Sequence, residues 1–200
     1  MNTPKISIAI PVYKEMPNGD FFLKRCLESI RTQSYQDFEI VITEKGSMAE
    51  NTNNAIKASN GEIIKVLYQD DYFAHKDALK RIVEAFKGGW LVTGCEHDDG
   101  VTRERPHLAE WNDNIHIRNT IGSPSVLTIE NKNPLLFDET MTWMLDCDYY
   151  KRLYERYGAP IILDDINVVI GVGSHQTTNR LTDEIKNNEL EYMYEKHTTK

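Results

Sequence analysis

The sequence has no run approaching about 18 apolar residues, so no membrane-spanning helix is expected. A charged start followed by a long apolar stretch is missing too, and no secretory leader is expected. Its cysteines, Cys26, Cys95 and Cys147, are odd in number and widely spaced. They make neither a disulfide framework nor a zinc-ligand pattern, and a reducing, cytoplasmic setting follows as the expectation. Basic charge is in deficit: 23 Lys and Arg against 31 Asp and Glu leave a net charge of −8. With no clustered Lys/Arg stripe, nucleic acid is excluded as a partner. Phosphate-loop signatures are absent as well. There is no GxxxxGK[ST], Pro11 to Gly19 is not glycine-rich, and Gly171-Val172-Gly173 is too short for a dinucleotide fingerprint. No linker-like composition or internal repeat divides the chain, so a single domain over 1–200 is expected, large enough to bury about 70% of its unfolded surface.

What is present alternates. Ile6 to Val12 is apolar and β-branched, a buried strand stopped by Pro11 and the Asn18-Gly19 loop. Leu23, Cys26, Leu27 and Ile30 recur at helical spacing from Asp20 to about Thr32. Strands are expected at Phe38–Ile42, Ile63–Leu67 and Trp90–Cys95. Helices are expected over Glu50–Ser59, with Gly61 as its C-cap, and around Leu79, Ile82, Val83 and Phe86, ended by Gly88-Gly89. Strand–helix alternation of this kind implies βαβ units and a parallel sheet with helices on both faces. Past Gly100 the pattern is mixed, with strand-like pieces near Ile115–Ile121 and Ser125–Ile129. A helix over Asp146–Tyr157, a strand over Pro160–Ile170 and a polar helix over Thr182–His197, capped by Thr182, complete the expectation.

The strand Ile63–Leu67 ends in Asp70-Asp71, at the end of a strand where an open α/β sheet binds its ligands. Two adjacent carboxylates repel, and a hard divalent ion such as Mg2+ or Mn2+ suits such oxygen ligands. The plainer reading is an acidic turn opening the next helix. Asp98-Asp99 and Asp164-Asp165 are further pairs of the same kind, and Asp98-Asp99 also follows a strand.

Taken in order, several segments resemble the family 2 glycosyltransferases. Ile6 to Lys14 is similar to that family's opening strand, Arg25–Ile30 with Gln33-Ser34-Tyr35 to its first helix and turn, and Glu44-Lys45-Gly46-Ser47 to its acidic Gly-Ser motif. Asn54–Glu62 precedes Gln69-Asp70-Asp71, which sits at the DxD-like metal motif. Phe137-Asp138-Glu139 with Leu145–Tyr149 resembles the segment bearing the catalytic base, and His175-Gln176-Thr177-Thr178 a late histidine motif.

The resemblance implies a GT-A fold, with a nucleotide-binding half over 1–100, an acceptor and catalytic half over 101–180 and a C-terminal helix over 181–200. It implies a metal-dependent, inverting transferase that uses Mn2+ or Mg2+, a nucleotide-diphosphate-sugar donor and a glycan or other hydroxyl acceptor. Asp71 and His175 would hold the metal, and Asp70 would lie near the ribose or the metal's water shell. As a strand-end carboxylate facing a cleft, Asp71 is expected to contribute little to the core. Pro11, Val12 and Tyr13 would line the base pocket with Glu44 and Lys45. Lys45 stands where the family more often has a second acid, so it is expected to alter base selectivity. Asp146 would be the general base, with Asp148 as the alternative, and Gly122, Ser123, Trp143 and Asp148 would belong to the acceptor side. Two competing readings are a sugar nucleotidyltransferase, which lacks its glycine-rich loop here, and a non-catalytic nucleotide- or glycan-binding protein, which Lys45 alone favours.

Overall fold

The computed structural model describes residues 5–198. β1 (Ile6–Pro11) is buried along its whole length, as an apolar run covered on both faces must be. It pairs in parallel with β2 (Phe38–Thr43) on one side and β3 (Ile63–Val66) on the other. Among the described residues the strands form one eight-stranded sheet ordered β2-β1-β3-β7-β5-β8-β4, with β6 paired to β5. β5 (Trp90–Asp98) and β8 (Ile161–Gly171) run parallel from Leu91↔Ile161 to Asp98↔Gly171. β1, β2, β3, β5 and β8 share one direction, while β4 (Tyr72–Phe73), β6 (Arg103–His107) and β7 (Leu127–Glu130) oppose it. The sheet is therefore mostly parallel in strand direction.

Five α-helices among the described residues flank it: α1 (Gly19–Arg31), α2 (Met48–Ala58), α3 (Ala78–Ala85), α4 (Leu145–Tyr157) and α5 (Asp183–Thr198). α2 packs on β1 and β2, α1 on β4, and α3 on β8. The core threads the sheet through Ile6, Ile8, Ile10, Val66, Leu91 and Val168, all shielded from water. Each such side chain contributes roughly 1.5–3 kcal/mol by leaving water. Capping follows the local chemistry. Ser47 and Glu50 close a reciprocal capping box on α2, and Thr182 Oγ1 accepts the Ile185 N–H at 3.3 Å, as its N-cap role requires. Residues 199 and 200 of the expected C-terminal helix lie outside the described residues.

The structure departs from the sequence pattern at four points. The strands at Ile63 and Trp90 are not neighbours, because β7 inserts between them, antiparallel to both. The stretch 115–121 is turns and bends rather than a strand. Asn112 Oδ1 accepts the Asn114 N–H and Asn119 Oδ1 accepts the Ile121 and Gly122 N–H groups, so local Asx turns win over the apolar alternation. β4 and β6 escape the pattern because one is two residues long and the other, Arg-Glu-Arg-Pro-His, is almost wholly exposed. Gly61 does not cap α2: Ser59 does, in an extended conformation. The glycine is needed for close approach, since a Cβ there would lie 2.6 Å from the Ser7 backbone nitrogen.

Candidate active site

β1, β3 and β8 all end at one cleft of about 580 Å³, within the range of ligand sites. Of the expected site residues, Pro11, Tyr13, Asp70, Asp71, Ser123, Trp143, Asp146 and His175 line it. The chain thus brings together segments more than 150 positions apart.

Asp70 and Asp71 do different things there. His175 Nε2 lies 3.1 Å from Asp70 Oδ2, and the imidazole packs on the Phe22 ring at 4.8 Å between centroids. The hydrogen bond to Asp70 holds the His175 pKa above its ordinary value. Asp71 is 2% exposed. Its Oδ1 accepts the Gly171 N–H at 2.8 Å, and its Oδ2 meets Ser123 Oγ at 3.5 Å. Burial, then the neighbouring Asp70 charge, push the Asp71 carboxyl well above the usual range. The expectation that Asp71 contributes little to the core is therefore corrected, because its carboxylate ties the turn after β3 to the end of β8. Gly171 permits that approach, since a Cβ there would lie 2.5 Å from the Asp70 carbonyl oxygen.

Asp146 is the second residue of α4 and reaches the cleft from the opposite half of the sequence. Its Oδ1 accepts the Cys147 N–H and its Oδ2 the Asn119 side-chain N–H, both at 2.7 Å. Burial raises its pKa to about 6 against the pull of those bonds. The start of α4 has no side-chain cap of its own. Glu189 of α5 supplies one, its carboxylate accepting the N–H groups of Thr142, Trp143 and Met144 at 2.7–2.8 Å.

Several expected residues lie elsewhere. Val12 is buried and stays beneath the cleft wall, its carbonyl accepting from Asn51. Glu44 pairs with Lys14 at 2.6 Å, and Lys45 is exposed. Neither side chain lines the cleft; the neighbouring Gly46 and Ser47 do. The turn presents its backbone inward because Asn51 Oδ1 binds the Lys45 N–H and Asn54 its carbonyl. Gly122 shapes the adjoining loop with φ +121° without lining the cleft. Asp148 is corrected outright: it is fully buried, facing Arg152, Lys196 and His197 at 2.7–2.9 Å. Asp98 is likewise occupied, by Arg25 at 2.6 Å and the Tyr72 hydroxyl at 2.9 Å, and Asp165 by Arg81.

The sequence reading missed residues that hold the site together. Gln69 Oε1 accepts the Tyr13 N–H, joining the loops after β1 and β3. Lys65 is completely buried within an apolar strand, its Nζ donating to the Ser125 and Leu127 carbonyls. Burial lowers its pKa to about 7. Arg180 brings a guanidinium to the cleft rim. Only Asn119 carried a legible signal, an Asn three residues before a glycine, which is turn chemistry.

Among the described residues no group of three His, Cys, Asp or Glu side chains is placed to hold a metal ion. The Asp70 carboxylate is an oxygen ligand of the kind that Mn2+ or Mg2+ favours, and the His175 imidazole stands hydrogen-bonded beside it. No helix among the described residues is long and apolar enough to cross a membrane.

No protein-family model matches the chain. A curated relative, glycosyltransferase GlyA of Streptococcus pneumoniae, is 29% identical over 100 residues, which are 50% of this chain and 14% of that protein. Among solved structures, S. aureus TarS residues 1–349 with UDP-GlcNAc matches at TM-score 0.66 and 15% identity, covering 96% of this chain and 66% of that one. The mannosyltransferase PcManGT from Pyrobaculum calidifontis, with GDP-Man and Mn2+, matches at TM-score 0.65 and 12% identity over 100% of this chain and 66% of that one. At such identities the structural likeness is one of fold: the chain has the GT-A fold of these nucleotide-sugar transferases, and the relative it matches over half its length is a glycosyltransferase too.

Proposed function

We propose that the cleft transfers a sugar from a nucleotide-diphosphate-sugar to a hydroxyl acceptor, a glycan or another alcohol, with inversion at the anomeric carbon. The observation that carries this reading is Asp146, a carboxylate held by two N–H groups, with a pKa near 6, in the same cleft as the Asp70–His175 pair. A base with that pKa is largely ionised at neutral pH and still takes a proton as the acceptor oxygen attacks. The acceptor O–C bond forms as the bond to the diphosphate oxygen breaks, and the nucleoside diphosphate leaves. Tyr13 and Pro11, which line the cleft after β1, would flank the nucleotide, and Trp143, which lines it before α4, would lie toward the sugar.

Asp70 and His175 would hold Mn2+ or Mg2+ against the diphosphate, with Asp71 bracing them from behind. Such an ion supplies Lewis-acid stabilisation of the departing charge. Among the lining residues Arg180 brings the one guanidinium and no lysine joins it, so a diphosphate beside Asp70 and Asp146 gains from a bound cation. The binding-protein alternative rested on Lys45, whose exposed side chain lies outside the cleft lining.

The test is a thermal-shift series with UDP-GlcNAc and GDP-mannose, with and without MnCl2, followed by release of nucleoside diphosphate. A donor at about 100 times its dissociation constant stabilises the fold by roughly 2.7 kcal/mol. Asp146→Asn is expected to bind donor like the parent and turn over about 10²–10⁴-fold more slowly. Parent-like turnover in that variant, retention of configuration, or the absence of any nucleotide-sugar response overturns the reading.

A further inference from the structure

We propose that Asn119 is the positioning residue of the Asp146 carboxylate, its side-chain amide locked by the 119–122 loop so that one N–H points at Asp146 Oδ2. The inference rests on the reading of Asp146 as the base.

The orientation of the amide is forced. Asn119 Oδ1 accepts two backbone N–H groups, from Ile121 and Gly122, both at 2.9 Å. Its Nδ2 gives one hydrogen to the Gly122 carbonyl at 3.0 Å and the other to Asp146 at 2.7 Å. A flipped amide would set its NH2 against two N–H groups, so every donor and acceptor of the side chain has one assignment. The loop is itself pinned, since the Tyr150 hydroxyl lies 3.1 Å from the carbonyls of both Gly122 and Ser123.

Around Asp146 the other titratable groups are Cys147, Tyr68 and Tyr150, all neutral at physiological pH and all raised by their own burial. Asp70 and Asp71 lie across the cleft, and Arg180 at its rim. Among the described residues no lysine or arginine forms an ion pair with Asp146; its charged form is held by hydrogen bonds from Cys147, from its own backbone and from Asn119, the one donor that comes from outside α4. A general base in this position gains from a donor that fixes its rotation and keeps it ionised, and Asn119 is that donor.

Asn119→Asp keeps the oxygen that accepts from Ile121 and Gly122 and replaces the Nδ2 group that donates to Asp146 and to the Gly122 carbonyl. Two carboxyls then share the contact, and the pair is expected to take up a proton with an apparent pKa about one unit higher than the parent's. The direct readout is a side-chain carboxyl 13C titration of the full chain, with the Asp146 signal identified by its loss in Asp146→Asn. The functional readout is hydrolysis of UDP-GlcNAc and GDP-mannose with MnCl2, water serving as the acceptor. At pH 6 kcat should fall by about fivefold, at pH 8 it should stay within about 10% of the parent, and KM should not move. Should Asn119→Asp unfold, Asn119→Ser keeps an oxygen for the turn but cannot reach Asp146, and the same upward shift is expected. An Asp146 titration that does not move in whichever variant folds overturns the proposal. If Asp146→Asn hydrolyses donor as fast as the parent, the base reading fails, whereas the carboxyl titration still judges Asn119.

Discussion

Glu189 offers a sharp test of how the site is held. It lies on α5, in a helix whose sequence reads as polar and solvated, yet it is 9% exposed and binds three backbone N–H groups at the uncapped start of α4. Glu189→Ala removes all three. Hydrogen bonds to a charged group are worth about 1.5–3 kcal/mol each. Thr142 is exposed and its N–H regains water, while Met144, at 5% exposed, loses its partner without replacement. Two bonds' worth, roughly 3–6 kcal/mol, is the expected loss, a large share of the 5–15 kcal/mol that ordinary domains possess. Glu189→Gln has one acceptor oxygen in place of two; set at the Oε2 position it keeps Trp143 and Met144 but turns an NH2 toward the Thr142 N–H. It should lose about a third to a half as much. Urea denaturation followed by circular dichroism reads both losses as a lower midpoint at unchanged slope, and hydrogen exchange at 142–144 should quicken in parallel. A loss below about 0.5 kcal/mol, the level of a neutral surface change, would refute the reasoning. So would a larger loss with exchange at those amides unaltered.

Asp70→Asn is expected to fold like the parent and to lose the Mn2+-dependent part of UDP-GlcNAc or GDP-mannose affinity, whereas Asp71→Ala should lower the unfolding midpoint because its bond to Gly171 crosses from β3 to β8; calorimetric binding beside thermal melts separates the two. Asp148 sets an acid limit on stability. Burial opposes its ionisation, but His197, Arg152 and Lys196 outweigh burial and hold its carboxyl below the usual range. Its contribution is then present above the unfolded pKa of about 3.9 and is lost as pH falls through the lower folded value. Asp148→Asn, which leaves Lys196 and Arg152 without their buried partner, should cost about 3–5 kcal/mol at pH 7 and flatten the acid limb of the stability curve.

Strand periodicity and strand-end acids made much of the first hundred residues legible. β1, β2, β3 and β5 stand where apolar runs placed them; β1 and β3 are buried throughout, and a strand covered on both faces tolerates little else, while β2 is a half-buried edge strand. The pair Asp70-Asp71 is distinguished from Asp98-Asp99 and Asp164-Asp165 only by its surroundings. Arg25 and Tyr72 bind Asp98, Arg81 binds Asp165, and nothing in the local sequence announces those partners. Elsewhere the chain was less legible because the elements are short or polar. β4 is two residues, β6 is exposed, and Asx turns hold 115–121 out of a strand.

Sequence alone determined the alternation of strands and helices, the helix cap at Thr182, and the acids that follow a strand at Asp70-Asp71 and open a helix at Asp146. These are local properties, set by side-chain periodicity and by bonds within a few residues. Tertiary structure decided which carboxylate does what: Asp70 faces the cleft beside His175, Asp71 braces β8, Asp146 is held by Asn119, and Asp148 is sealed under α5. The reason is physical. A carboxylate's role follows from its burial and its partners, and those partners lie 27 to 105 positions away in the chain, beyond the reach of any local pattern.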